Sequence, residues 1–235
     1  MIEESLRYLR SSDDWIKTVL LGGVLTLFGF LLVPLFAVFG YYVRVLRGTM
    51  RGGDEPPVFD DWGSMIVEGL KAFAIYLVYG LVPGLIGAAI AFVGIGGAVA
   101  GDSGIAGAIG GLIAVVGFLV AFALGLVAAY IAPAALANYV EKDDLMAGFA
   151  FGEIRAAITT RTYAMGWLTA FAMLLAAGLV TSVLSIVPIV GTVVGVFVTF
   201  YAAVAAFYVI GHTWTDLNPV DLHEEDEMPG EQPAV

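Results

Sequence analysis

The chain has 235 residues, of which 60% are hydrophobic and 13% are charged, and its mean hydropathy is +0.94. Soluble domains contain about 45–50% apolar and about 25% charged residues, so this composition excludes an ordinary soluble protein and indicates a polytopic membrane protein. The net charge of −11 excludes the basic face that a nucleic-acid partner requires. The absence of cysteine excludes disulfides and thiolate metal sites.

Long apolar runs divide the chain. Four of them reach the length of about 20 residues that a membrane-spanning helix needs: 18–43, 65–101, 104–140 and 163–211. The last run is long enough for two helices, so the pattern predicts an all-α polytopic transmembrane helical bundle with four long spans and one additional N-terminal element. We expect residues 1–215 to form the membrane domain and the acidic residues 216–235 to form a disordered C-terminal tail.

The N-terminal element, residues 18–43, is interrupted by Pro34, which lacks a backbone N–H group. It is either a single kinked span or a re-entrant hairpin of two short helices, about 18–33 and 35–48. Basic residues flank it on both sides, which places both flanks in the cytoplasm by the positive-inside rule and favours the hairpin. These basic residues are Arg7, Arg10 and Lys17 before the run and Arg44, Arg47 and Arg51 after it.

The stretch from Gly40 to Gly63 is the main polar interruption and is predicted to be a cytoplasmic connector. Its glycine and proline pairs end one helix, and either of two aspartates can cap the next, with a tryptophan as an anchor at the membrane interface. The residues assigned to this connector and its anchors are Arg44, Arg47, Arg51, Pro57, Phe59, Asp60, Asp61 and Trp62.

Prolines punctuate the later spans. Pro83 is expected to bend or end the helix that starts near Ser64, Pro133 to kink the end of the following span, and Pro188 to lie in a tight turn between the last two spans. Asp102 and Ser103 are predicted to form a turn on the outer side, because no lysine or arginine lies near them.

Residues 145–158 are amphipathic and are predicted to form a helix on the cytoplasmic membrane surface. Asp143 or Asp144 is expected to cap this helix, and Arg155 and Arg161 to lie on its polar side.

Small residues recur four positions apart, which allows the backbones of two membrane helices to approach closely. The pattern predicts packing within the chain, or association between copies in a homo-oligomer. It involves Gly80 with Gly84, Gly107 with Gly111, Gly117 with Ala121 and Gly125, and Gly191 with Gly195.

The sequence lacks the residues that membrane chemistry usually requires. No ionisable side chain lies in the middle of a predicted span, and Glu68, Lys71, Glu141 and His212 near the span ends are expected to be solvated or to snorkel to the surface. We find no pairing of nucleophile and base, no cluster of metal ligands and no phosphate-binding loop, so we expect a protein that is not an enzyme and has no cofactor.

The residues GYYVRVLRGTMRGGDEPPVFDDWGSMIVEGLK, from Gly40 to Lys71, resemble the archaeal domain-of-unknown-function 4013 family. The resemblance implies a multi-pass protein of the archaeal cytoplasmic membrane, common in haloarchaea, and implies no activity. The excess of acids over lysines also suggests a halophilic origin. We therefore expect a non-enzymatic scaffold or membrane-organising protein whose partner is the lipid bilayer. The alternative is a small-solute transporter or channel, because two proline-broken halves weakly resemble an internal repeat.

Overall fold

The computed structural model describes residues 2–53, 55–100 and 104–217, and these residues are helical apart from short turns and the connector. The α-helices are α1 (Ile2–Tyr8), α2 (Trp15–Leu27), α3 (Val33–Met50), α4 (Trp62–Ala100), α5 (Gly104–Lys142), α6 (Phe151–Ile158), α7 (Arg161–Leu184) and α8 (Val190–Leu217). Within the described residues, α4, α5, α7 and α8 are long and apolar enough to cross a membrane. The all-α architecture with four long spans is therefore confirmed.

The first apolar run forms two helices and not one kinked span. Helix α2 ends at Leu27, a short 3-10 turn follows, and Leu32 has a φ of 64° before α3 begins. Pro34 lies in the first turn of α3, where a missing N–H costs no hydrogen bond. The Tyr8 hydroxyl donates to the backbone oxygen of Glu55 at 3.2 Å, so the start of the chain and the connector lie at the same end of the bundle. The hairpin alternative matches this arrangement.

Two long helical hairpins form the rest of the bundle. Helix α4 pairs with α5 and α7 pairs with α8, while α3 lies between the hairpins and packs on both α4 and α8. In the first hairpin the helices approach closely at glycines: a Cβ on Gly94 would lie 2.5 Å from the backbone nitrogen of Ala114. The predicted turn at Asp102 and Ser103 falls outside the described residues.

Pro83 does not end the helix, because α4 continues as one helix from Trp62 to Ala100 with Pro83 inside it. Helix α5 likewise continues through Pro133 to Lys142. In hydrocarbon an interrupted helix leaves backbone groups without partners, so a proline is accommodated within the helix more readily than the helix is ended. Pro188 does lie in the turn between α7 and α8, as the sequence indicates.

The surface helix predicted for residues 145–158 is divided at Ala150. Residues Leu145–Phe149 form a 3-10 turn, which the Asp144 carboxylate caps by accepting from the Met146 N–H at 3.0 Å, and α6 follows. At the C-terminus α8 extends to Leu217, so the helix includes the first two residues assigned to the tail; residues 218–235 are outside the described residues.

The buried core lies at the connector end of the bundle. Fully buried side chains come from α3, α4, α5, α7 and α8, including Leu46, Ile75, Leu136, Tyr163 and Ile210. At the other end of the hairpins the helices expose large apolar side chains on their outer faces. Examples are Phe92 (81% exposed), Phe118 (67%), Leu179 (70%) and Ile189 (80%).

Candidate functional site

The connector is held by Arg44, which projects from α3 and is only 15% exposed. Its Nη1 donates to Asp60 Oδ1 at 2.6 Å and to the backbone oxygen of Asp60 at 2.8 Å, and its Nη2 donates to Ser64 Oγ at 2.8 Å. Its Nε lies 3.4 Å from Glu68 Oε2. The guanidinium therefore joins α3, the end of the connector and the first turns of α4.

Glu68 is the carboxylate at the centre of this cluster. It bridges Arg44 and Arg47, both on α3, and is itself 19% exposed, so the expectation of a solvated side chain was wrong. Arg47 also reaches Asp143 Oδ1 at 3.5 Å, which links α3 to the loop after α5. We call Arg44, Arg47, Asp60, Glu68 and Asp143 the connector clamp. Both of its arginines are paired with carboxylates of the same cluster.

The start of α4 is capped as the sequence predicts. Asp61 precedes Trp62, and its carboxylate accepts from the Ser64 hydroxyl at 2.6 Å and from the Ser64 backbone N–H. These hydrogen bonds from Ser64 hold the pKa of the Asp61 carboxyl below its usual value, because they stabilise the charged form. Asp61 is therefore the residue that caps α4, whereas the Asp60 carboxylate accepts a hydrogen bond from Arg44.

Aromatic rings fasten the connector to the helices below it. Phe59 stacks on Tyr41 of α3 with ring centroids 4.4 Å apart and an interplanar angle of 11°, and on Trp62 at 5.8 Å. Trp62 remains 43% exposed, as an interface anchor requires, and Pro57 of the connector is half-buried. The predicted anchors therefore lie together, and Phe59 contributes packing that its position in the sequence did not indicate.

Two glycines that the sequence did not single out for packing make the clamp possible. A Cβ on Gly40 would overlap the backbone oxygen of Met65, and a Cβ on Gly69 would overlap that of Phe36. Helices α3 and α4 thus cross at backbone contact, which brings Arg44 within reach of Glu68. The spacing of the polar residues could have predicted this contact. Arg44 and Arg47 lie three residues apart and so share one face of α3, and Ser64 and Glu68 lie four apart and share one face of α4.

Arg51 follows the last turn of α3 and is exposed, and no ion pair involves it within the described part of the chain. It lines a cavity of about 130 Å³ with Arg47, Glu141 and Trp214. The Trp214 Nε1–H donates to Glu141 Oε2 at 3.1 Å, so α8 is joined to the end of α5 there. Arg51 is therefore not part of the clamp, although the sequence grouped it with Arg44 and Arg47.

A second polar cluster joins α5 to α6. The buried Asn138 amide donates to Glu153 at 2.9 Å and to the backbone oxygen of Ala147 at 2.8 Å, and Lys142 Nζ lies 2.5 Å from Glu153. The hydrogen bonds from Lys142 and Asn138 lower the pKa of the Glu153 carboxyl, which is exposed to solvent. Both predicted cytoplasmic loops are thus fixed by polar contacts at the same end of the bundle.

The small residues predicted to pack helices divide into two groups. Gly117 contacts Ile90 in the first hairpin, Gly195 contacts Thr181 in the second, and Gly191 lies against Leu184 at the turn. By contrast, Gly107 is only in loose contact with Ala98, and a further set of glycines has no neighbour within 4 Å of an added Cβ: Gly80, Gly84, Gly111 and Gly125.

Three of these open glycines, Gly80, Gly84 and Gly125, border a groove of about 400 Å³, which we call the small-residue groove. Its walls are Tyr76, Tyr79, Gly80, Pro83, Gly84, Ala121, Gly125, Ala128, Ala129 and Ala132. The Tyr79 hydroxyl donates to the backbone oxygen of Gly148 at 3.0 Å. The small residues at Gly80, Gly84 and Gly125 therefore make no close helix contact within the described part of the chain, whereas Gly117 and Ala121 do.

The helical fold and the polar clusters at the connector end together define an all-helical, multi-pass membrane protein. Its connector is held in place by ion pairs within the chain. More particularly, the chain belongs to the family described as protein of unknown function (DUF4013), whose family model matches residues 26–186. The matched region includes the whole connector clamp. No curated protein and no solved structure matches the chain.

Proposed function

We propose that the protein is a non-enzymatic membrane scaffold, which organises the membrane by self-association through its small-residue groove. The observation that carries the proposal is the contrast between two sets of groups. The arginines of the connector clamp pair with carboxylates of the same chain. By contrast, Gly80, Gly84 and Gly125 on the outer face of α4 and α5 have no neighbour within 4 Å of an added Cβ. In lipid, close backbone contact at small residues is what drives helices together.

The hydroxyl groups support a scaffold over the alternative, a small-solute transporter or channel. A polar pathway would need free hydroxyls that open onto a cavity. Within the described residues the hydroxyls of Tyr41, Thr49 and Tyr139 have no partner but are buried, while Thr181 Oγ1 donates to the Gly195 backbone oxygen at 3.3 Å and Ser185 Oγ to the Thr181 backbone oxygen at 2.8 Å. Tyr76 and Tyr79 line the small-residue groove, whose remaining walls are glycine, alanine and proline, and Thr181 and Ser185 lie on the other hairpin.

Self-association is tested by single-molecule photobleaching of the labelled full-length protein in liposomes at low protein density. The wild type is expected to show two or more bleaching steps per particle. Replacement of both groove glycines, Gly80→Ile and Gly84→Ile, is expected to give single steps, because the added side chains hold two helices apart. Gly178→Ile is the matched control, since Gly178 lies on α7 and also has no neighbour within 4 Å of an added Cβ.

Single steps from the wild type, or unchanged steps from the double variant, would overturn association through this groove. The same liposomes provide a second arm, in which the uptake of labelled small solutes is measured. Uptake above that of empty liposomes would favour the transporter over the scaffold.

We propose the cytoplasmic membrane of a halophilic archaeon as the location, with the connector end of the bundle facing the cytoplasm. Support comes from the acidic composition and from the arginines at this end. Because the chain has no cysteine, the single replacements Asp13→Cys and Gly53→Cys can be labelled with a membrane-impermeant thiol reagent. Both should stay unlabelled in intact cells and react in inverted vesicles; labelling of either in intact cells would contradict the orientation.

A further inference from the structure

A larger cavity lies on the opposite side of the bundle, between the N-terminal segment and the second hairpin. Its volume is about 780 Å³, within the range of about 300–1,000 Å³ that is usual for ligand pockets. Walls come from α1 (Leu6), the segment before α2 (Arg10), α2 itself (Trp15, Val19), α7 (Met173) and α8 (Phe197). We call it the N-terminal groove.

The N-terminal groove is long and apolar. On α7 its lining extends from Met165 to Val180, a distance of about 22 Å at 1.5 Å per residue. This length exceeds one leaflet, which is about half of the 30 Å hydrocarbon core. The two hydroxyls in its walls are occupied, since Thr169 donates to the Met165 backbone oxygen at 2.9 Å and Tyr201 donates to that of Leu6.

Helix α1 is fastened over this groove. Besides the Tyr201 contact to Leu6, the buried Ser5 hydroxyl lies 3.7 Å from Met173 Sδ of α7. The lining is almost wholly apolar, which suits a hydrocarbon chain lying along the groove.

One end of the groove carries a cation. Arg10 is the charged residue in the walls that the structure describes, and its guanidinium lies over the Trp15 ring, 5.6 Å from the centroid. No carboxylate pairs with Arg10 within the described residues. Arg7, Arg44 and Arg47 differ in this respect, because Arg7 pairs with Glu3 at 2.7 Å and Arg44 and Arg47 are held by Glu68.

We propose that the N-terminal groove binds one anionic membrane lipid, with a hydrocarbon chain along α7 and α8 and the phosphate against Arg10. A cation beside an interfacial tryptophan at the end of an apolar groove complements an amphiphile with a negative headgroup. Arg10 and α8 lie outside the matched residues 26–186, whereas α7 lies within them, and the proposed lipid site does not depend on the proposed scaffold function.

The experiment is native mass spectrometry of the delipidated full-length protein in detergent. Phosphatidylglycerol and phosphatidylcholine with identical acyl chains are titrated separately, and bound lipids are counted. The wild type is expected to retain one phosphatidylglycerol at about fivefold lower concentration than phosphatidylcholine, as one arginine near the headgroup predicts. Arg10→Gln should remove this preference. Arg7→Gln is the matched control and should keep it, because Arg7 is already paired with Glu3.

A second pair of variants tests the chain position. Ala176→Phe fills the groove from α7 and should abolish retention of both lipids, whereas Gly178→Phe on the same helix, outside the groove, should not. Melting temperatures equal to that of the wild type show that the variants are folded. Equal retention of the two lipids by the wild type, or unchanged binding in Arg10→Gln or Ala176→Phe, would overturn the proposal and leave only the ordinary lipid shell.

Discussion

The connector end and the far end of the bundle are formed largely by the same helices, yet they are held together differently. At the connector end α3 meets α4 at backbone contact and Glu68 joins two arginines. At the far end α4 and α5 pack on each other through glycine and alanine, and their outer faces carry exposed residues such as Phe92 and Phe118. Contacts within the chain stabilise the connector end, whereas the exposed apolar side chains of the far end depend on a surrounding lipid environment.

Helix length explains this difference. Helix α4 has 39 residues and is therefore about 58 Å long, well beyond the 30 Å hydrocarbon core even with a tilt of about 40°. A substantial part of α4 must lie outside hydrocarbon, and the residues from Trp62 to Lys71 supply the polar groups suited to that position. In water apolar side chains need a buried core, whereas in lipid they can remain exposed without cost. The connector end is accordingly the part that folds like a soluble protein.

The largest loss of stability is expected from disrupting the close backbone contact between α3 and α4 at the connector end. Gly69→Leu places a side chain against the backbone oxygen of Phe36, which cannot move without displacing α3, so the free energy of unfolding should fall by more than about 4 kcal/mol. Loss of the thermal transition in detergent, followed by tryptophan fluorescence, would report it. Gly178→Leu has open space and should melt within a few degrees of the wild type. Equal melting temperatures for the two variants would show that the α3–α4 crossing is not tight.

A smaller effect is expected from removing the shared charge of the clamp. Glu68→Gln leaves two largely buried arginines with less compensation, and should lower the free energy of unfolding by about 1–3 kcal/mol, less than a fully buried pair because Glu68 is 19% exposed. Denaturant titration in mild detergent measures the change. The control is Glu3→Gln, which breaks the exposed pair with Arg7 and should cost under about 0.5 kcal/mol. If the two variants are equally stable, the clamp contributes no more than a surface ion pair.

The sequence predicts local features of both ends more reliably than contacts between them. The four spans follow from hydropathy, and the caps at Asp61 and Asp144 follow from residue type and position, because hydrophobic length and capping are properties of one segment. The role of Glu68 was misjudged because its partners Arg44 and Arg47 are on another helix. The packing role of Gly40 and Gly69 was missed for the same reason.

The small-residue spacing illustrates the same limit at the far end. Gly94, Gly110 and Gly117 pack α4 against α5, while Gly111 and Gly125 have the predicted spacing and face outward. Spacing identifies a face of a helix but does not identify the helix that meets it. The open face therefore motivates the proposed self-association, which the photobleaching comparison tests.

The smallest effect is expected from the second polar cluster, which fixes α6 at the connector end through Glu153. Its folded pKa lies below the ordinary value of 4.5, so its stabilising contribution is complete above that pH and is lost as the pH falls through the folded pKa. The melting temperature of the wild type should therefore decline more between about pH 5 and pH 3 than that of Glu153→Gln, with little difference in slope above pH 6. Glu55→Gln serves as the control, because Glu55 is exposed and no ion pair involves its side chain within the described residues. If Glu153→Gln and the wild type have the same acid dependence, the contacts from Lys142 and Asn138 do not stabilise α6, and its position at the connector end rests on the apolar packing of Ile154 and on the hydrogen bond from the Tyr130 hydroxyl to the Ile158 backbone oxygen.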